Sequence, residues 1–475
     1  MTIVEGEIIN PSAPVKGFGV RHGQVILQIL FYVIIYGIEL SLSSTIMAIV
    51  YSTKDGSYIY SNWWLSQILA AYLYGFLITE LFGGWVCKNF GFKWPMVIMM
   101  VINSAITLSL PLIGQNCGAV GLLVCRIVQG LCSGLIFAMP ADFINKWIPV
   151  GERTTLGTAV YSSSRLGEVL IFFGPAFLVD TSLGWQFVYT LYGYLAIIWA
   201  ILMAVFGADS PEQYFRKITE KELNHIVQNR GNVKTKSKLR IPWMKILTSM
   251  PFWAIIVAEI GTSWLLLVLS ANMADYFRTH FFVWNTQFFY VIVTLISWIL
   301  SFVISKIAQA SINNGKTTIG QSRKICNLLG VFIPALCLIY FLFEPSGNRY
   351  EAVAFWTVMS VASIGTICGA KLNVNDISTN FSAVILGIAA WIGAVFNMLM
   401  VIVFQAKFTD NWFTLFLFTI ILLLITNIFY LKFGSGEEQD WDMIDDDLDE
   451  EVDLSKSGAY ISCDEGKYLL YIRKQ

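Results

Sequence analysis

The sequence predicts an all-α polytopic membrane protein, with twelve transmembrane helices in two six-helix bundles. Three observations predict it. The 475-residue chain is 56% hydrophobic and only 13% charged, whereas soluble domains carry roughly 25% charge. Apolar stretches recur between polar breaks, and each is long enough to cross a bilayer, for which roughly 20 residues suffice. The longest break, 208–250, falls after the sixth stretch and separates six from six.

In chain order the stretches are 24–50, 63–86, 94–114, 118–144, 155–179, 184–207, 251–275, 285–308, 324–343, 351–371, 381–405 and 412–433. In lipid the backbone must bond to itself, so each is read as a helix. The expected organisation is a tail 1–23, a bundle 24–207, a linker 208–250, a second bundle 251–433 and an acidic disordered tail 434–475. The first 23 residues are polar, with no short apolar core before a cleavage site, so the first span is expected to act as an uncleaved start-transfer helix.

Basic residues orient the chain. With both termini in the cytosol, 20 Lys and Arg, Lys371 among them, lie on the cytosolic side before span twelve. Only 4, Lys54, Arg278, Arg349 and Lys407, lie opposite. Cytosolic loops carry the excess of positive charge, which favours this orientation. Trp63, Trp64, Trp94, Trp147, Trp185 and Trp243 fall near span edges and are expected to form an interfacial belt.

Other function classes recede. A net charge of −1 gives no bias toward nucleic acid. None of the eight cysteines falls in a CxxC or Cys/His spacing, so neither a metal site nor a disulfide framework is expected. No nucleotide loop or nucleophile–base set appears, and His22, His225 and His280 lie outside the stretches drawn above. Neither an enzyme nor a cofactor is expected. Eleven Asp or Glu fall within 437–453, the mark of a solvated tail. Beyond them Glu465, followed by Leu469 and Leu470, resembles an adaptor-read endolysosomal sorting signal.

Several stretches carry a family likeness: YLYGFLITELFGGWVCKNFGFKW (Tyr72 to Trp94), RIVQGLCSG (Arg126 to Gly134), KWIPVGERT (Lys146 to Thr154), DSPEQ (Asp209 to Gln213), PWMKILTSMPFWAIIVA (Pro242 to Ala258), NVNDIS with ILGI (Asn373 to Ile388) and YLKFGSGEEQDW (Tyr430 to Trp441). In this order they resemble the anion:cation symporter branch of the major facilitators: sialin, the vesicular glutamate transporters and the type I sodium–phosphate cotransporters. The resemblance implies the major facilitator fold and transport of organic or inorganic anions driven by protons, sodium or voltage. Gly83, Gly84, Gly91, Lys93, Glu152, Arg153 and Asp376 lie in matched loops and are assigned to gating and structure. Gly permits tight turns and close helix approach. Lys93 is expected to face a carbonyl end or a carboxylate.

Charges inside lipid are costly and tend to face a partner or a wet cavity. The candidates here are Glu39, Glu80, Arg126, Arg165, Glu168, Glu259 and Lys371. Arg126 matches the family's span-four arginine and offers a fork to a carboxylate or phosphate. Tyr74 and Lys371 join it as candidate substrate contacts, although a packing role for Tyr74 stays open. Glu39, Glu259 and Glu168 are the candidate ion-coupling groups. Arg165, three residues before Glu168, is expected to pair with it. Glu80 is expected to be solvated or capped near the cytosolic end.

The departures from the family are as informative. Glu39 stands where relatives carry an arginine, Ser133 where they carry the span-four acid, Leu69 for a span-two histidine, and Lys371 for an asparagine. The span-seven motif is reduced to Ser263, Trp264 and Leu267. One acid–base pair per half is expected in their place, Glu39 with Arg126 and Glu259 with Lys371, so that protonating Glu39 would free Arg126 for an anion. The sequence thus reads as a secondary active transporter of small anions, coupled to H+ or Na+ by alternating access, in the plasma membrane or an endolysosomal or vesicular membrane. Alternative readings are a non-transporting receptor or scaffold on the same fold, or an uncoupled anion uniporter.

Overall fold

The computed structural model describes residues 17–51, 62–178, 184–214, 218–233, 241–281, 286–343, 348–407, 411–442, 459–464 and 467–472. The first bundle comprises α1 (Val20–Tyr51), α2 (Asn62–Phe90), α3 (Lys93–Phe137), α4 (Met139–Trp147), α5 (Val150–Leu178) and α6 (Gln186–Phe206). The linker holds a short α7 (Glu220–Asn229) and α8 (Trp243–Thr248). The second bundle runs α9 (Met250–Leu267), α10 (Met273–His280), α11 (Thr286–Asn313), α12 (Ile319–Phe343), α13 (Arg349–Ala362), α14 (Ile364–Thr366), α15 (Leu372–Ile377), α16 (Ser382–Lys407) and α17 (Trp412–Phe433).

These segments make twelve crossings. Helix α3 is two spans in one run, broken at Gly118, whose φ of 61° is at home only in glycine. Helices α9 and α10 join through a π-helical turn at Val268–Asn272, and α14 and α15 through another at Ile367–Lys371. Such π turns often mark functional sites, and the second carries Lys371. Outer helix faces expose Ile78, Phe82, Ile198, Ile201, Ile307, Ile425 and Ile428, as a lipid-facing surface requires.

Within the first bundle α2 lies along α3, while α1 packs on α5 and α6. Gly83 brings α2 against the Leu135 carbonyl of α3. The halves meet along α5–α11 and α2–α16. At Gly84 an added Cβ would land on the Val384 backbone of α16, so only glycine permits this approach.

Three helix N-termini at the linker end are capped by carboxylates from the linker or tail. Glu222 of α7 accepts from the Val20 and Arg21 amides at the start of α1, both at 3.1 Å. Asp209 accepts from the Phe92 and Lys93 amides at the start of α3, at 2.7 and 2.9 Å. Asp442 accepts from the Thr379 amide at 2.7 Å, just ahead of α16. Each satisfies orphan N–H groups and lies at the positive end of a helix dipole. Burial pushes the Asp209 carboxyl up from its ordinary value, against the opposing pull of those amides.

Several expectations are corrected. Lys93 meets a carboxylate through its backbone amide, while its ammonium lies over the Trp94 ring at 5.1 Å. Gly91, at φ 76°, makes the turn that seats Asp209. Trp147 is fully buried and donates to the Ala208 carbonyl at 3.0 Å, so it belongs to the core and not to the belt. The tail does not disorder at 434. Trp441 and Asp442 are buried, because the carboxylate finds amide and hydroxyl donors that water would otherwise supply. Further on, Ala459–Asp464 (β1) pairs antiparallel with Lys467–Ile472 (β2). Leu469 and Leu470 lie in β2, whereas Glu465 lies outside the described residues.

Candidate functional site

The charged side chains of the spans converge between the two bundles. From α3, Arg126 reaches α1, where Nη1 donates to the Ile38 carbonyl at 3.1 Å and Nη2 to the Glu39 carbonyl. Nη1 also meets the Gln129 side chain at 3.2 Å. Arg126 is 2% exposed, and its Nε has no partner. The Glu39 carboxylate is partly exposed and makes no ion pair with it. The expected Glu39–Arg126 pair is therefore replaced by a contact with the α1 backbone, whose carbonyls lie nearer the guanidinium fork.

The ring against Arg126 is Tyr72, at 5.0 Å. Tyr74 is 40% exposed and only approaches Gln67, at 3.4 Å. Sequence reasoning singled out Tyr74 and passed over Tyr72, the ring that meets Arg126. The signal was available, since Tyr72 shares a face with Phe76, which packs toward α3 at the helical spacing of four.

Lys371 does not belong with the loop cations. It projects from the π turn between the halves, 5.0 Å over the Tyr161 ring and 5.8 Å over Phe137. It is partly exposed and, among the described residues, forms no ion pair or hydrogen bond. Glu259 and Glu80 act on it electrostatically without contact. The expected Glu259–Lys371 pair is thus also open: Glu259 rests against Gly393 of α16, while aromatic faces hold the ammonium.

Arg165 and Glu168 approach each other only at 4.0 Å. Each is anchored on the other half instead. Arg165 donates to the Ser363 hydroxyl at 3.3 Å, and Glu168 accepts from the Tyr290 hydroxyl. The pair is a strut between halves as much as a local bridge.

Glu80 is 1% exposed, one of its oxygens has no partner, and it lies within reach of Glu259, Glu39 and Lys371. The expectation of a solvated end residue fails because α3 and α16 close over it: an added Cβ at Gly134 would sit 3.1 Å from its amide, and one at Gly387 3.2 Å from its carbonyl.

At the linker end the halves are locked. Asp376 takes Arg323 of α12 at 2.6 Å and Arg153 of α5 at 3.5 Å. Arg153 also donates to the Asn375 and Arg230 carbonyls, at 3.1 and 2.8 Å. Asn145 of α4 donates to the Ser378 and Thr379 carbonyls, at 2.9 and 3.1 Å. Glu152 does not cross to the other half. It holds Arg21 with two bonds of 3.0 and 3.1 Å. These contacts close the linker end, while Glu39, Glu259 and Lys371 are partly exposed.

The tail reinforces the lock. Asp442 accepts from the Ser378 hydroxyl at 2.6 Å, and Glu438 from the Thr379 hydroxyl at 2.7 Å. Burial and the neighbouring Asp442 carboxyl push the Glu438 carboxyl up from its ordinary value. A group raised in the folded state stabilises it most below its unfolded value and loses that contribution as pH rises through the folded one. Limited proteolysis of the tail is therefore expected to slow on mild acidification. Glu438→Gln flattens that dependence; an unchanged slope in this variant removes Glu438 as its source.

The chain was compared with known proteins. The family model described as Major Facilitator Superfamily matches residues 29–374. The chain is 26% identical to a putative inorganic phosphate cotransporter of Drosophila ananassae over 401 residues, 82% of this chain and 83% of that protein. It is 27% identical to sialin of Homo sapiens over 387 residues, 80% and 77% of the two chains. It is 26% identical to vesicular glutamate transporter 1 of Xenopus laevis over 462 residues, 92% and 79%. The structure of the proton:xylose symporter XylE superimposes with a TM-score of 0.69 at 14% identity, covering 88% of this chain and 97% of that one, a likeness of fold alone.

Proposed function

Because the chain belongs to the major facilitator superfamily, we propose that it is a secondary active transporter of small organic or inorganic anions, working by alternating access. Phosphate, glutamate and sialic acid are the cargo classes to try first, from the names of its relatives. The observation that carries the reading is Lys371, a cation at the bundle interface that has no carboxylate in contact among the described residues. An ammonium kept from ion pairing and held over aromatic faces is available to an entering anion. Arg126, with its Nε donor unpartnered, adds positive field. Glu39 and Glu259, partly exposed nearby, are the carboxylates from which H+ or Na+ coupling is drawn, with Glu168 joining them through its Tyr290 contact to the other half. The linker face is taken as cytosolic, in agreement with the distribution of basic loops.

Uptake of labelled inorganic phosphate, glutamate and sialic acid into proteoliposomes tests this, with a proton or sodium gradient imposed. Flux of at least one of them, raised by a gradient, is expected. Lys371→Gln is expected to cut it roughly thirtyfold, since truncating one partner of a desolvated charge contact costs about 2 kcal/mol or more; Lys371→Arg retains part. Flux that is indifferent to the gradient favours a uniporter. No flux for any of the three overturns the assignment.

A further inference from the structure

Glu80 is a buried carboxyl that the anion reading leaves unused. Among the described residues its carboxyl makes no hydrogen bond or ion pair, and one of its oxygens is sealed from water without a partner. A charge in that setting is costly unless compensated.

The surrounding charges can be counted. Glu259 of α9, Glu39 of α1 and Lys371 act on Glu80. Helix α4 presents Asp142 and Lys146, which pair with each other at 2.7 Å. Arg126 of α3 is committed to α1, next to Glu39. Arg165, which also acts on Lys371, approaches Glu168 at 4.0 Å. Among the described residues that leaves Lys371 as the cation facing both Glu259 and Glu80. One of these two carboxyls must hold a proton for the centre to be neutral, and Glu80 is the one without exposure.

What buries Glu80 is the contact that must break for the linker end to open. It lies one helical turn from Gly84, where α2 meets the α16 backbone, and Gly387 of α16 covers its carbonyl. We infer that Glu80 is a proton-binding site gated by the α2–α16 contact: it holds its proton while the halves meet at the linker face, and releases it to water there when they part. A lone carboxyl without further oxygen ligands suits a proton and not a sodium ion. This rests on the alternating-access reading above and adds the site and the identity of the coupling ion.

The test needs no cargo. Spin labels at exposed Asn89 and Lys316, one on each half at the linker face, report opening as a distance in nanodiscs, on a background stripped of reactive native cysteines. In the wild type the open fraction is expected to rise with pH. In Glu80→Gln, which cannot release a proton, it is expected to stay at least about tenfold lower at the alkaline end, the equivalent of one pH unit. Glu80→Asp keeps a carboxyl and is expected to keep the response. If Glu80→Gln does not fold, Glu80→Met is read in its place. A wild-type pH response in the neutral variants overturns the proposal, as does a gate that answers to sodium at constant pH. Phosphate uptake intact beside a failed gate response sinks Glu80 alone. A sound gate response without uptake of any anion sinks the cargo reading alone.

Discussion

Asp376→Asn is expected to unlock the linker face. Asp376 holds Arg153 of the other half and Arg323 of its own, and both side chains and the acid are at most 4% exposed. Removing one member of a buried ion pair costs about 3–5 kcal/mol, because the remaining charge stays buried without compensation. The low end applies. Arg323 keeps the Cys368 carbonyl at 2.8 Å and Thr154 at 3.1 Å, and Arg153 keeps two carbonyls. About 3 kcal/mol shifts the closed-to-open ratio roughly a hundredfold. The native Cys368 reads it out: its thiol is buried between the halves, 3.3 Å from the Thr158 hydroxyl. Maleimide labelling of Cys368 is expected to accelerate and the melting temperature to fall. Wild-type labelling in the variant would show that hydrogen bonds, not the triad, hold the face shut.

The second large effect is steric. Gly84→Ala adds a helix former, a gain of about 0.5–1 kcal/mol relative to glycine. The new Cβ would however overlap the Val384 Cα and amide of α16, and backbone cannot rotate away as a side chain can. Overpacking of this kind costs about 1–3 kcal/mol, so the penalty wins in the closed state, while the open state keeps the propensity gain. Gly84→Leu enlarges the difference. Labels at Asn89 and Lys316 are expected to show a longer mean separation in both variants, graded with side-chain size. Equal separations would place the α2–α16 contact outside the gate.

Lipid made much of the fold legible. It punishes exposed backbone polarity so severely that hydropathy alone marks the helices. Gly84 and Asp376 were assigned to gating and structure from their loop motifs; Gly84 lies against the Val384 backbone of α16, and Asp376 pairs with Arg153 of the other half. Other residues were less readable. Lys371 was counted both with the cytosolic cations and among the charges of the spans, because it ends an apolar stretch; the π turn sets its ammonium over the Tyr161 ring. Glu80 looked like a helix-end acid, but α3 and α16, the latter some 300 residues away along the chain, close over it. The capping carboxylates Glu222, Asp209 and Asp442 left no mark in their own segments, since each serves a helix N-terminus far away in sequence.

The sequence by itself determined that this chain crosses a membrane twelve times in two halves, and which charges lie within the crossings. Both follow from composition summed over some twenty residues, a local quantity that lipid enforces. Only the tertiary structure decided the partners: Arg126 on carbonyls, Lys371 over rings, Asp376 between two arginines. A partner is chosen by distances of a few ångströms between helices remote in sequence, and neither spacing nor hydropathy carries that information.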